Sequence, residues 1–171
     1  MVSTSGHGLV DGPDVLVAIR ERLFPITTVL TPNLPEASCL LGWRVEHVDD
    51  MRRACLQLHA LGPQSVFLKG GHFTNGVDPT RPPETATDVL YDGSQFEAVV
   101  KPWLVSRNTH GTGCSLASAI ASELAKGQTL YDATRIAKEY VHCAIAQSFD
   151  VGRGHGPINH MHGLIHYHYS E

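Results

Sequence analysis

The sequence lacks the features that mark several classes of protein. No apolar stretch among its 171 residues approaches the ~20 residues of a membrane-spanning helix, so we expect no membrane partner. It has no run of like charges, and its net charge of −4 with histidine neutral argues against a nucleic-acid partner. The opening M-V-S-T-S-G has neither a basic flank nor an apolar segment, so we expect no secretory signal.

Paired cysteine motifs are also missing. Four widely spaced cysteines form no C-x-x-C motif: Cys39, Cys55, Cys114 and Cys143. They are typical of reduced thiols rather than of a disulfide framework or a zinc site, and we therefore predict a cytoplasmic protein. Hydrophobic residues make up 42% and charged residues 18% of the chain, as in ordinary globular domains. The length fits one domain, since a single core commonly forms from about 100–200 residues.

The order of apolar segments and breakers predicts an α/β fold. Short apolar runs predict buried strands at 26–30 and 65–69, and Asp92-Gly93 predicts the turn of a hairpin between 87 and 100. Helical periodicity predicts helices near 13–24, 33–42, 49–58, 112–126 and 130–147. This alternation favours a mainly parallel sheet flanked by helices.

Residues 108–114, N-T-H-G-T-G-C, carry the most chemical information. Gly111 and Gly113 flank Thr112 at the start of a predicted helix. Glycines let backbone N–H groups converge on one point, and a helix start adds donors and a positive dipole end, which together suit phosphate oxygens. A purely structural turn explains such a G-x-G equally well. Cys114 fits either an inert buried thiol or a base, because a helix start favours the thiolate.

The same segment resembles the D/N-T-H-G-T-G-C signature of the hydroxymethylpyrimidine and hydroxymethylpyrimidine-phosphate kinases, which are ribokinase-like. Three further segments resemble motifs of that family in the same order: 30–37 (L-T-P-N-L-P-E-A), 67–72 (F-L-K-G-G-H) and 154–160 (G-H-G-P-I-N-H). We therefore expect a ribokinase-like kinase domain over residues 1–160, followed by an unassigned His-rich tail over 161–171.

The resemblance implies a three-layer sandwich and an activity. The activity is the ATP-dependent phosphorylation of hydroxymethylpyrimidine and then of its monophosphate, a small-molecule substrate of thiamine biosynthesis. The family's anion hole corresponds to Gly111, Thr112, Gly113 and Cys114, and Cys114 is placed to take the proton of the substrate hydroxyl. Catalysis of this kind is mostly positioning and charge stabilisation.

Further residues are implied to bind the cofactors ATP and Mg²⁺. Lys69, Asn33, Thr112 and His72 would contact the nucleotide. Asn33 and Glu36 would hold Mg²⁺, through water because this ion dehydrates reluctantly. Each has a plainer interpretation: Asn33 and Glu36 also fit a helix capping box, Lys69 a surface lysine at a strand end, and His72 a loop-stabilising role. Asp88 is interpreted as structural.

Residues 164–171 match no motif of the family, and five histidines crowd the C-terminal end of the chain. They are His155, His160, His162, His166 and His168. Their spacing allows a metal site, but solvated side chains are the better interpretation.

The resemblance starts near the end of the family's early D-P-V-M-x-x-x-S-G stretch. We therefore expect the family's first strands and most of its pyrimidine contacts to be missing. A sheet without those strands has an open edge near residues 26–30, and family members often dimerise, so we expect a homo-oligomer. Two alternatives stay open: a non-catalytic, nucleotide-binding partner subunit of such a kinase, and a pyridoxal-type kinase.

Overall fold

A computed structural model describes residues 13–71 and 83–164, and the chain divides into two compact units, 1–103 and 104–171. The first unit contains α1 (Pro13–Ala18), α2 (Leu34–Leu41), α3 (Val48–His59), β1 (Val66–Leu68), β2 (Thr85–Tyr91) and β3 (Phe96–Pro102). The second contains α4 (Thr112–Ala125) and α5 (Leu130–Ala146). The predicted α/β class is confirmed, whereas the single domain expected over 1–160 stays a prediction.

The first helix continues beyond α1 in two irregular turns. Ile19–Leu23 is a π-helix and Phe24–Ile26 a 3-10 helix. Pro25 lies within this 3-10 turn, where its missing N–H and fixed φ prevent the regular helix from continuing. The helix end predicted from Pro25 is therefore confirmed.

The strand predicted for residues 26–30 is wrong. Within this described segment Leu30 alone forms a bridge, parallel to Val66, and the N–H of Phe67 donates to the carbonyl oxygen of Leu30 over 2.8 Å. The segment runs beside β1 without becoming a continuous strand. Its beginning is wound into the preceding 3-10 turn, and Pro32 has no N–H to extend the ladder.

The three strands form one sheet in the order β1-β2-β3, and both neighbouring pairs are antiparallel. The predicted hairpin is confirmed: Tyr91 pairs with Phe96, and the Asp92 carboxylate accepts hydrogen bonds from the N–H groups of Ser94 and Gln95, each over 2.8 Å. The described sheet thus differs in one respect from the mainly parallel sheet expected. A short turn forces antiparallel pairing, and parallel pairing within the described residues is limited to isolated bridges.

The core of the first unit includes α3 and the sheet. One face of α3 is fully buried, and its residues are Met51, Ala54, Cys55 and Leu58. All three residues of β1 are buried as well, and Val89 of β2 belongs to the same cluster. Burial on this scale is the main source of folding free energy, and it fixes the C-terminal end of β1, directly before Lys69.

The second unit is built on α4 and α5, which pack against each other. Their buried residues are Leu116 and Ile120 on α4, and Ala133, Thr134, Ala137, Val141 and Ala144 on α5. The chain then returns along α5, because the N–H of Asn159 donates to the carbonyl oxygen of Ala144 over 2.9 Å. None of the described helices is long and apolar enough to cross a bilayer.

Candidate functional site

The start of α4 has the geometry of an anion site. Gly111 is the N-cap, and its φ of 90° is in the left-handed region that favours glycine. Because glycine has no side chain to cap the helix, the first-turn N–H groups of Gly113 and Cys114 receive no acceptor from this position. A Cβ at Gly111 would meet nothing within 4 Å in the described structure. An uncapped helix start of this kind is a general site for phosphate oxygens.

Cys114 lies in the first turn of α4 with an exposed side chain. The interpretation of this residue as an inert buried thiol is therefore wrong. That description applies to Cys55, which is buried and whose pKa is raised to about 12, chiefly by desolvation. The role of Cys114 as a base stays a prediction.

Asn108 joins the loop before α4 to the segment that follows α5. Asn108 is buried, and its Nδ2 donates to Oδ1 of Asp150 over 3.0 Å. Its backbone N–H donates to the Ser106 hydroxyl over 3.0 Å. The adjacent Arg107 donates to Oδ2 of Asp150 over 2.8 Å. One carboxylate thus holds two consecutive residues of the loop.

The next residues of this loop are held by the returning chain. The N–H of His110 donates to the carbonyl oxygen of Gly156 over 3.1 Å, and the N–H of Ile158 donates to the carbonyl oxygen of His110 over 3.3 Å. A Cβ on Gly156 would lie 2.0 Å from Oδ1 of Asn108. Glycine is therefore required at position 156 for Asn108 to lie where it does.

The carboxylate of Asp150 is stabilised in its charged form. The hydrogen bond from Asn108, and then the hydrogen bond and charge of Arg107, hold its pKa below the usual range. Asp150 is nevertheless exposed, so solvent screens this interaction. Asp150, Arg107 and Asn108 border an open groove of about 500 Å³. The groove is lined by Leu104, Val105, Ser106, Arg107, Asn108, Ile145, Ala146, Ser148 and Asp150.

In the first unit the structure brings Asn33, Glu36 and Lys69 together. The Asn33 side chain accepts a hydrogen bond from the N–H of Glu36 over 2.8 Å, and Oε2 of Glu36 accepts one from the N–H of Asn33 over 2.9 Å. Asn33 also forms a parallel bridge with Lys69, whose N–H donates to the carbonyl oxygen of Pro32 over 2.9 Å. The capping-box interpretation is confirmed. The bridge between Asn33 and Lys69 places the start of α2 next to the end of β1.

Asp88 holds the turn that follows Lys69. Its side chain is buried, and Oδ1 accepts a hydrogen bond from the N–H of Gly70 over 2.9 Å. A buried carboxylate that accepts a backbone hydrogen bond orders the adjacent chain. This contact supports the structural interpretation of Asp88.

The described residues offer few side chains that could bind a metal ion directly. Within residues 13–71 and 83–164 no three His, Cys, Asp or Glu side chains are grouped so that they could hold an ion. The Asn33–Glu36 pair therefore suits Mg²⁺ only if water and phosphate oxygens complete its coordination, which is the usual arrangement for this ion.

The histidines divide into two groups. His72, His166 and His168 lie outside the described residues, and His155 is exposed. Nδ1 of His160 lies 2.9 Å from the Tyr140 hydroxyl, and the His162 ring lies 5.0 Å from the Tyr140 ring. These two side chains contact α5, but His160 is exposed, as expected of a solvated side chain, and His162 is half-buried.

Comparison with known proteins identifies the family. The family model for phosphomethylpyrimidine kinase matches residues 1–159. The chain belongs to the phosphomethylpyrimidine kinase family. It is 46% identical to the chloroplastic thiamine biosynthetic bifunctional enzyme of Arabidopsis thaliana, over 96% of this chain and 31% of that protein. It is 45% identical to the hydroxymethylpyrimidine/phosphomethylpyrimidine kinase of Streptomyces coelicolor, over 93% of this chain and 55% of that protein.

A solved structure supports the same relationship. The ADP complex of Bacillus subtilis pyridoxal kinase superposes with a TM-score of 0.80 at 39% identity, covering 91% of this chain and 58% of that one. The ribokinase-like fold expected from the motifs is therefore confirmed. The chain spans about a third to somewhat over half the length of these relatives.

Sequence reasoning missed the supports of the loop. Asn108 and Gly156 stand inside motifs that were recognised, but nothing in those motifs shows that the two residues touch. Asp150 and Arg107 lie 43 positions apart and belong to no motif. An Asp shortly after a helix gives no signal by itself, because its partner is set by how the chain returns along α5.

Proposed function

We propose that this chain carries the nucleotide-binding and proton-accepting groups of an ATP-dependent kinase that phosphorylates hydroxymethylpyrimidine and its monophosphate in thiamine biosynthesis. The observation that carries the proposal is the family match over residues 1–159, together with an uncapped, open start of α4 inside the matched region. The similarity to a kinase solved as its ADP complex supports an adenine nucleotide as the donor.

The start of α4 would act on the transferred phosphoryl group. The N–H groups of Gly113 and Cys114, with Gly111 and Thr112 shaping the turn, stabilise the negative charge on its oxygens. The Cys114 thiolate takes the proton of the substrate hydroxyl as the new oxygen–phosphorus bond forms and the bond to ADP breaks. Because the donors are backbone groups, nucleotide binding does not require the thiol.

Asn33, Glu36 and Lys69 in the first unit would bind the charged phosphates of the nucleotide. Lys69 supplies a cation to the phosphates, and Asn33 contacts the same ligand. Asn33 and Glu36 would hold Mg²⁺ through water, and the ion neutralises phosphate charge. His72 is retained as a proposed nucleotide contact.

A turnover assay tests the proposal. ADP release should depend on Mg²⁺, ATP and hydroxymethylpyrimidine, and should vanish in Cys114→Ala. ATP should also stabilise the folded chain, by about 2.7 kcal/mol at ~100 times its Kd. No thermal shift at millimolar nucleotide would contradict the nucleotide site. Binding without turnover would favour the non-catalytic subunit.

A pyridoxal-type kinase is the second candidate function, because the pyridoxal kinase of Bacillus subtilis is structurally similar. A parallel assay with pyridoxal as the acceptor discriminates the two substrates. The homo-oligomer expected from the sequence stays a prediction. The cytoplasmic location also stays a prediction, since the relative from Arabidopsis thaliana is named as chloroplastic.

A further inference from the structure

We propose that Asp150 is a positioning residue that holds the loop before α4 in its binding geometry through Asn108 and Arg107. The hydrogen bonds that the described structure gives Asp150 go to Asn108 and Arg107, so it acts through the loop. The inference rests on the proposed function for its effect on nucleotide affinity, but its effect on the loop itself does not depend on that function.

The first step of the argument is the need of Asn108 for a partner. Asn108 is only 6% exposed, and its Nδ2 donates to Oδ1 of Asp150. A buried amide donor that loses its acceptor bears the cost of desolvation without compensation. Without the Asp150 carboxylate, the Asn108 side chain must therefore turn outward or draw in water.

The second step is that Asn108 has little room to find another arrangement. Its Oδ1 lies against Gly156, where even a methyl group would overlap it. Two residues later, His110 is held on both its N–H and its carbonyl oxygen by the segment 156–158. A shift of Asn108 is therefore transmitted along a short, tethered path to Gly111.

The third step is the charge on the carboxylate. Charged acceptors form stronger hydrogen bonds than neutral ones, and Oδ2 of Asp150 accepts from the guanidinium of Arg107. The pKa of Asp150 is lowered, first by Asn108 and then by Arg107, so the same contacts that hold the loop favour the ionised carboxylate. Small displacements of groups that position a ligand weaken binding and catalysis disproportionately.

Two substitutions separate the hydrogen bond from the charge. Asp150→Ala removes the acceptor of Asn108, whereas Asp150→Asn keeps an oxygen acceptor and removes the charge. Asp132→Ala is the matched control, because Asp132 also lies in the second unit, accepts from a hydroxyl and faces an arginine, Arg135, at 3.7 Å. It lies at the start of α5 instead of beside the loop.

The experiment measures amide hydrogen exchange over residues 106–114 without ligand, and the Kd of the Mg²⁺–ADP complex by calorimetry. In Asp150→Ala we expect faster exchange confined to this segment and a Kd raised by about tenfold. Asp150→Asn keeps one acceptor oxygen but not the charge, so both properties should lie between those of Asp150→Ala and those of the wild type. Asp132→Ala should change neither, even where it lowers the urea midpoint.

Unchanged exchange over 106–114 in Asp150→Ala would overturn the proposal. Faster exchange with an unchanged Kd, in a wild-type chain that binds the nucleotide, would also overturn it. If the wild-type chain does not bind the nucleotide, the proposed function fails, and the exchange measurement still decides whether Asp150 holds the loop.

Discussion

Asn33 and Glu36 hold each other's backbone: the amide oxygen of Asn33 accepts the N–H of Glu36, and the carboxylate of Glu36 accepts the N–H of Asn33. Two donors at the start of α2 are thereby satisfied. Asn33→Ala should remove one of these bonds and lower the free energy of unfolding by about 1 kcal/mol, within a range of ~0.5–2 kcal/mol. Urea unfolding followed by circular dichroism measures this loss. Asn33→Asp, which keeps a capping oxygen, should stay close to wild type.

Glu36→Gln separates the structural role of Glu36 from its proposed role in binding Mg²⁺. The glutamine oxygen can still accept the N–H of Asn33, so stability should change little. Removal of the negative charge should weaken the Mg²⁺ dependence of nucleotide binding, because this ion prefers carboxylate and water oxygens. Calorimetric titrations of nucleotide across a Mg²⁺ series test this difference. An unchanged Mg²⁺ dependence would contradict the metal role and leave the capping role intact.

The sequence predicts this region well because its signals are local. The capping box needs only residues three positions apart, and the Asp-Gly turn of the hairpin fixes its own pairing. The strand predicted at 26–30 is wrong because the β-branched composition was given more weight than Pro25 and Pro32, which interrupt backbone pairing on either side of the segment. The contacts of Asp150 and Gly156 could not be predicted for a different reason. Both join residues far apart in the sequence, which meet only because the chain folds back along α5.

Cys114 and Cys39 form a natural comparison of thiol reactivity. Both side chains are exposed, but Cys114 lies in the first turn of α4 and Cys39 in the last turn of α2. The first position places the thiol beside uncapped backbone N–H groups, whereas the second places it near the carbonyl end of its helix, so an anionic transition state of alkylation is better stabilised at Cys114. Iodoacetamide should therefore alkylate Cys114 faster than Cys39 at neutral pH, and mass spectrometry of timed samples gives both rates. Buried Cys55, with its raised pKa of about 12, should remain unmodified in the folded chain. Equal rates at Cys39 and Cys114 would count against the reactivity of Cys114.

Asp92 should make the hairpin sensitive to acid. Hydrogen bonds, first from the N–H of Gln95, lower its pKa from 3.8 to about 2. A carboxyl whose pKa is lower in the folded than in the unfolded state contributes stability above the unfolded value, and this stability is lost as pH falls through the folded value. The loss should occur between about pH 4 and pH 2 and amount to about 1 kcal/mol or less, since the carboxylate is exposed.

Asp92→Asn is the control for that measurement, because the amide oxygen can still accept the turn's hydrogen bonds but does not titrate. The free energy of unfolding should decrease more between pH 5 and pH 2 in the wild type than in Asp92→Asn. Other carboxyls titrate in both proteins and cancel in the difference. An identical fall in the two proteins would show that the Asp92 carboxylate adds nothing to stability.

Gly156→Ala should disturb the loop before α4 through direct overlap. The new Cβ would lie 2.0 Å from Oδ1 of Asn108, and Asn108 is buried and already bonded to Asp150. Relief of the overlap requires Asn108 to move, so we expect a loss of about 1–3 kcal/mol in stability, the usual cost of overpacking, and weaker nucleotide binding. Gly154→Ala is the matched control, since a Cβ there meets nothing within 4 Å in the described structure. Thermal unfolding and nucleotide titration of the two variants check both effects. If Gly156→Ala is as stable as Gly154→Ala and binds nucleotide as tightly, the contact between Asn108 and Gly156 does not hold the loop.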